Sequence, residues 1–179
     1  LDLTLPTITT NINAMISAGL VQELGSTEPT DHRHGRRSRL LDIIPDARHF
    51  IGVEMTGSES AVCLTDYRGK LLDSRSAPAS SRDYEDNLHM TCSLIRKLLD
   101  HCRLTLADVD GIGFCVPGLV DGQAGILKVR PSYNWYDKPI LRDVGRQLDL
   151  CCPITVENNA CARAYGASLF QRDLLNNAP

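Results

Sequence analysis

Between His32 and Arg39 the chain places four arginines, Arg33, Arg36, Arg37 and Arg39, around Gly35. Guanidinium groups at that density neutralise nucleic-acid phosphates or enter a narrow A·T-rich groove. A solvated basic loop is the alternative. Upstream, Thr7, Thr10, Asn11 and Asn13 supply short hydrogen-bonding side chains of the kind that meet base edges, phosphates or a thymine methyl in a major groove. Here the alternative is an ordinary solvated helix face. His32 and His34 have no second ligand pair nearby and are read as bystanders. The net charge of −3 lends no global support to nucleic-acid binding, so that reading rests on the local arginine patch.

Seven cysteines, at 63, 92, 102, 115, 151, 152 and 161, show no C-x-x-C spacing, and most sit in apolar stretches as small buried hydrophobes. Reduced thiols in a cytoplasm fit this usage. The adjacent Cys151 and Cys152 lack zinc-ligand spacing and are read as packing. No apolar run approaches the roughly 18 residues of a membrane span, and no secretory leader opens the chain. The missing initiator Met, close to a helix start, points to a fragment of a longer protein.

The elements that would carry these residues follow from local pattern. Thr4 is a candidate N-cap and Pro6 suits a first helical turn, after which Ile8, Ile12, Met15 and Ile16 recur at helical spacing until Gly19. At about 100° per residue the apolar four share a face, with Thr10 opposite and Thr7, Asn13 and Ala14 beside it. Leu20–Leu24 and Leu40–Ile44 read as two strands around the polar segment from Gly25 to Arg39. Helix, strand, basic loop and strand make a partial winged helix-turn-helix over residues 1–47.

Pro45-Asp46 marks a boundary. Phe50–Met55, Ser60–Thr65 and Lys70–Ser74, joined by hairpin-sized turns, predict an antiparallel meander. Leu88, Cys92, Ile95, Leu98 and Leu99 predict a helix over Tyr84–Cys102, with Ser81 or Asp83 as cap. Gly111–Val116 has the apolar run of a central strand covered on both faces. A turn-rich stretch through Gly125 follows, then a short strand at Ile126–Arg130. A helix at Ile140–Leu148, a strand at Ile154–Glu157 and a helix from about Asn159 to Leu169 complete an α/β domain with a mixed sheet over 48–179.

Three segments, Gly111-Ile-Gly-Phe-Cys-Val-Pro-Gly-Leu-Val-Asp121, Trp135-Tyr-Asp-Lys-Pro139 and Val156-Glu-Asn-Asn-Ala-Cys-Ala162, resemble the ROK family of repressors and sugar kinases. Leu5–Thr9, Ala18–Val21 and Gly35–Arg37 are similar to the repressor branch, which adds a winged helix-turn-helix. The resemblance implies the first lobe of an actin-like, ribonuclease-H-like domain, with sugar bound in a cleft between two lobes. It also implies a second lobe beyond Pro179 carrying the nucleotide-binding segment and the His/Cys zinc site, so no metal or cofactor is assigned to this chain.

Two departures from the family's kinases bear on chemistry. The phosphate turn, Asp-x-Gly-Gly-Thr in the family, reads Glu54-Met-Thr-Gly57-Ser58, with a Cβ where phosphate needs close backbone approach. The family's Glu-Asn-Asp, whose Asp is the general base toward the sugar hydroxyl, reads Glu157-Asn158-Asn159. Asparagine cannot take up that proton but still hydrogen-bonds. Asn159 as a cap of the following helix is the alternative.

The resemblance therefore implies effector-binding roles for Asn158 and Asn159 and a degenerate phosphate turn at Glu54, Gly57 and Ser58. The family's Pro-Asn-Leu-Gly-Trp becomes Pro131-Ser-Tyr-Asn-Trp135, so Trp135 either stacks on a sugar or packs its loop. The expectation is a sugar-responsive repressor without kinase chemistry. Its candidate DNA contacts are Thr7, Thr10, Asn11, Asn13, Arg36 and Arg37, and its partners are operator DNA, a sugar or sugar-phosphate effector and, in the full-length protein, further copies of itself in a homodimer or higher homo-oligomer. An active sugar kinase with a DNA-binding arm is the competing expectation.

Overall fold

The computed structural model describes residues 4–26, 39–149 and 152–170. The basic loop with Arg36 and Arg37, both its histidines, and Cys151 lie outside the described residues.

Helix α1 spans Leu5–Ser17 with Pro6 in its first turn. Thr4 holds the extended backbone of an N-cap, yet its hydroxyl bonds the Thr7 hydroxyl at 2.8 Å and not a backbone N–H. The helix ends where Gly19 adopts a φ of +69° and Leu20 N–H donates to Met15 O at 3.0 Å. The expected apolar face is only half covered. Ile12 and Ile16 are half-buried, while Ile8 and Met15 stay exposed and no residue of α1 is buried. Strand β1 (Val21–Ser26) pairs antiparallel with β2 (Arg39–Ile43), and a bulge at Glu23/Gly25 uses Gly25 at φ +119°. Arg39 belongs to strand β2 and pairs with Glu23 at 2.7 Å, so it is not a free arginine of the loop.

A single 3-10 turn, Pro45–Ala47, leads to the large sheet. Strands β3 (Phe50–Met55), β4 (Glu59–Thr65) and β5 (Leu71–Pro78) form the expected antiparallel meander. Strands β6 (Gly111–Val116) and β10 (Ile154–Asn158) add parallel to β3, giving the order β10-β6-β3-β4-β5. The mixed sheet follows from the connections: hairpin turns force antiparallel neighbours, and a helical crossover permits a parallel one.

That crossover is α2, Tyr84–Cys102. Asp83 caps it by accepting from Glu85 N–H at 2.8 Å and Asp86 N–H at 3.1 Å, and Arg103 ends it in the left-handed region. Its face of Tyr84, Leu88, Ile95, Leu98 and Leu99 packs on Ile51, Val53, Leu64 and Phe114, all nearly inaccessible. Each such buried side chain contributes about 1.5–3 kcal/mol relative to exposure. Buried Ser60 and Thr91 satisfy one another at 2.7 Å, which ties helix to sheet without an orphaned hydroxyl.

The opposite face of the sheet departs from the expectation of a doubly covered strand. Gly52, Ala61, Cys63, Gly113, Cys115 and Thr155 line an open concavity of roughly 1040 Å³. Among the described residues, helix α4 (Asn159–Phe170) borders it through Ala162 and Tyr165. The run Gly111–Val116 is apolar on both faces, but glycine and cysteine cover little area, so an apolar letter did not mean a buried residue.

Two short strands were not expected. Strands β7 (Leu119–Asp121), β8 (Ile126–Arg130) and β9 (Trp135–Lys138) form a separate antiparallel sheet. Three- and four-residue strands are too short to show a period in sequence. Gly125 turns β7 into β8 at φ +65°, and a Cβ there would lie 2.3 Å from Leu141 Cβ on helix α3 (Ile140–Leu148).

Candidate functional site

Strands β3, β6 and β10 run parallel, so their carboxyl ends open at one edge of the sheet, where crevices form in open α/β sheets. At this edge β3 delivers Glu54 and the Thr56–Ser58 turn, β6 delivers Gly118 just beyond its end, and β10 delivers Asn158 and Asn159. The residues singled out at Glu54, Asn158 and Asn159 therefore converge, although more than 100 positions separate the first from the others, with a separation of 105 between Glu54 and Asn159.

Asn158 is a framework residue. Its Oδ1 accepts from Ala160 N–H at 2.8 Å and Cys161 N–H at 3.3 Å, which caps α4, and its Nδ2 donates to Gly118 O at 2.7 Å. The capping expected as an alternative for Asn159 thus falls to its neighbour. Asn159 instead turns toward β3, its Nδ2 donating to Glu54 Oε1 at 3.3 Å. Arg163, one turn along α4, donates to the same Glu54 oxygen at 2.7 Å. Two donors therefore converge on one oxygen of this carboxylate.

The Thr56–Ser58 turn is closed by its own side chains. Thr56 Oγ1 donates to Glu59 O at 2.9 Å, accepts from Glu59 N–H at 3.1 Å and lies 3.1 Å from Ser58 Oγ. Gly57 sits at φ +80°, with its Cα face against Tyr133; a Cβ there would lie 2.7 Å from the ring. Behind the turn stands Arg130, buried at 8% exposure, its guanidinium 4.0 Å from the Tyr133 ring centroid and 5.2 Å from that of Trp135. Burial holds Arg130 below the usual arginine range. Sequence reading missed this residue, because a single Arg at a strand end carries no pattern.

Trp135 is not available for stacking on a sugar. It is 2% exposed, donates from Nε1 to Arg82 O at 2.9 Å, and meets Tyr84 edge-on at 5.7 Å. This corrects the effector-binding expectation for Trp135, since the ring is enclosed and its one donor is used in packing. Thr7, Thr10, Asn11 and Asn13 are all exposed on α1, far in sequence from the cleft residues. The Thr10 hydroxyl donates back to Pro6 O at 3.0 Å, which leaves its methyl and oxygen lone pairs outward.

Among the described residues no group of three or more His, Cys, Asp or Glu side chains is placed to hold a metal ion, and no helix is long and apolar enough to cross a membrane.

The sequence pattern of the ROK family matches residues 50–175. The xylose repressor of Caldicellulosiruptor bescii is 26% identical over 170 residues, covering 94% of this chain and 41% of that protein. The N-acetylglucosamine repressor of Escherichia coli O157:H7 is 26% identical over 126 residues, covering 68% and 30%. The chain thus spans about two fifths or less of the length of these relatives.

Among solved structures, a ROK family transcriptional regulator homologous to the E. coli MLC protein superposes with a TM-score of 0.73 at 23% identity, over 94% of this chain and 42% of that one. A ROK family glucokinase from Streptomyces griseus gives a TM-score of 0.58 at 24% identity, over 66% and 36%. At these identities the superpositions establish the shared fold.

Proposed function

The chain belongs to the ROK family through residues 50–175, and on that premise we propose that it is the DNA-reading and effector-sensing part of a sugar-responsive transcriptional repressor. In this reading α1 and the basic loop contact operator DNA through Thr7, Thr10, Asn11 and Asn13 with Arg36 and Arg37, and the crevice at the carboxyl edge of the sheet takes a sugar or sugar phosphate without phosphorylating it.

The observation that carries the proposal is the state of the catalytic position. By the resemblance to the family's kinases, Asn159 stands where a kinase needs a carboxylate base, and the carboxylate it contacts, Glu54, is held by Asn159 and Arg163. Loss of the base with retention of hydrogen-bonding shape is what a sensor requires: binding survives and turnover does not. The repressor relatives favour the same reading. An effector would act by binding one arrangement of the protein more tightly than another and shifting the population away from the DNA-binding form. A two-fold operator held by a homodimer is the arrangement such a reader would use.

The test is operator selection from genomic fragments with the intact protein, followed by affinity measurements across salt. Thr10→Ala is expected to weaken sequence preference, and Arg36→Ala and Arg37→Ala to lower affinity and flatten its salt dependence. Unchanged operator affinity in all three variants sinks the DNA assignment. A coupled ATP-consumption assay across a panel of hexoses tests the competing sugar-kinase reading, because sustained turnover with Asn159 in place refutes the account of the missing base.

A further inference from the structure

Strand β5 is the outer strand of the five-stranded sheet, and among the described residues it has a strand neighbour, β4, on one side only. Just past its end, Ala79 N–H donates to Ser58 O at 2.8 Å, toward β4. Antiparallel alternation then turns the backbone groups of Ala77 and Arg75 inward to β4, and those of Ser74 and Ser76 outward to the open edge. An unpaired edge of this kind is a template for another strand. Its guard is slight: Ser74 N–H is taken by the neighbouring Asp73 Oδ1 at 2.8 Å, while Leu71 and Leu72 stand exposed.

The charges on this strand match poorly within one chain. Asp73 and Arg75 lie opposite Leu64 and Val62, on the face that carries α2. Arg75 Nη2 reaches Asp73 Oδ2 only at 4.0 Å, and the enclosed Arg75 Nε has no hydrogen-bond partner among the described residues. A second β5 laid antiparallel about a two-fold axis at Ser74 sets Asp73 of each copy opposite Arg75 of the other, two opposite-charge pairs at once. Moving the axis to Asp73 or to Arg75 sets like charge against like. Charge therefore selects both the occupant and the register.

We propose that β5 pairs with β5 of a second copy about a two-fold axis at Ser74, joining two five-stranded sheets into one continuous sheet. Ser74 N–H exchanges its bond to Asp73 for the backbone oxygen of the second Ser74. Asp73, released, pairs with Arg75 of the other copy.

The experiment places the photoreactive residue p-benzoylphenylalanine at position 76 of the intact protein and maps its crosslinks by mass spectrometry. A covalent dimer joined to Leu71–Asp73 of the second copy is expected. Asp73→Arg and Arg75→Asp should each lower its yield by about fivefold or more. An equimolar mixture of the two variants should restore the yield to within about twofold of wild type, because the mixed pair again sets opposite charges together. An ion pair confined to one chain gains nothing from mixing. Ser74→Pro removes only an outward N–H, which an edge strand tolerates; it should abolish the crosslink and keeps the test decisive if a charge variant fails to fold.

A crosslink from position 76 to any other segment or protein, no crosslink between copies, a yield indifferent to the charge reversals, or no recovery on mixing the folded variants overturns the pairing. Neither operator DNA nor sugar enters the assay. Its failure leaves the repressor reading standing, and failure of that reading leaves the pairing standing.

Discussion

Asn159 donates to the same Glu54 carboxylate oxygen that Arg163 holds, at 3.3 Å and 2.7 Å respectively, so three residues from β3 and α4 close the edge of the sheet around one charge. Asn159→Asp replaces the donor with a second carboxylate. The expected cost is on the order of 1 kcal/mol at neutral pH, part lost hydrogen bond and part like-charge repulsion. The like-charge part of the penalty needs an ionised new carboxyl, so it fades as pH falls toward the ordinary aspartate value of about 4. Urea midpoints of wild type and variant at pH 7.5 and 4.5 check this; a gap that does not narrow in acid rejects the charge argument.

Gly125 and Gly145 make opposite predictions. A Cβ on Gly125 meets Leu141 Cβ at 2.3 Å in a left-handed backbone, so Gly125→Ala must displace α3 and should cost about 2–4 kcal/mol. Gly145 lies inside α3 with open space around its Cβ position, and Gly145→Ala should stabilise by about 0.5–1 kcal/mol. Thermal and denaturant unfolding of the pair measures both signs.

Trp135→Phe separates packing from sugar contact. The variant loses the Nε1 bond to Arg82 O and part of the contact with Tyr84, for an expected loss of about 1–2 kcal/mol of stability. Hexose affinity in the intact protein should stay within twofold or so of wild type, since the ring is enclosed. A large loss of sugar affinity with stability unchanged contradicts the packing role.

Alkaline pH should destabilise the fold through its thiols. Burial pushes Cys92 from 9.0 up to about 11, with Arg96 opposing; burial and then Glu54 push Cys115 from 9.0 up to about 11. Folded-state values above the unfolded ones mean the stability is fully present below pH 9 and is lost as pH rises from 9 through 11, where the unfolded chain releases the proton first. Cys115→Ala should flatten that decline, as followed by denaturant midpoints across the interval. Iodoacetamide at pH 7.5 should modify exposed Cys161 before either.

The elements whose signals are local were legible. The helical spacing of Leu88, Cys92, Ile95 and Leu98, with Asp83 before it, predicted α2 and its cap, and hairpin-sized turns predicted the meander. Asn158 and Asn159 were located through family resemblance, but their hydrogen-bond partners were not: the helix cap fell to Asn158, and Asn159 turned to Glu54. Trp135 offered both stacking and packing in sequence, and its burial accords with packing.

By itself the sequence determined element type, order and the absence of a carboxylate at position 159, because periodicity, capping residues and residue identity are properties of neighbouring positions. Only the tertiary structure decided that Glu54 is neutralised by a guanidinium 109 positions away, that small residues leave one sheet face open, and that Arg130 is buried beneath Gly57 with no acceptor. Those facts depend on which strand ends meet at one edge of the sheet, and chain spacing does not encode that meeting.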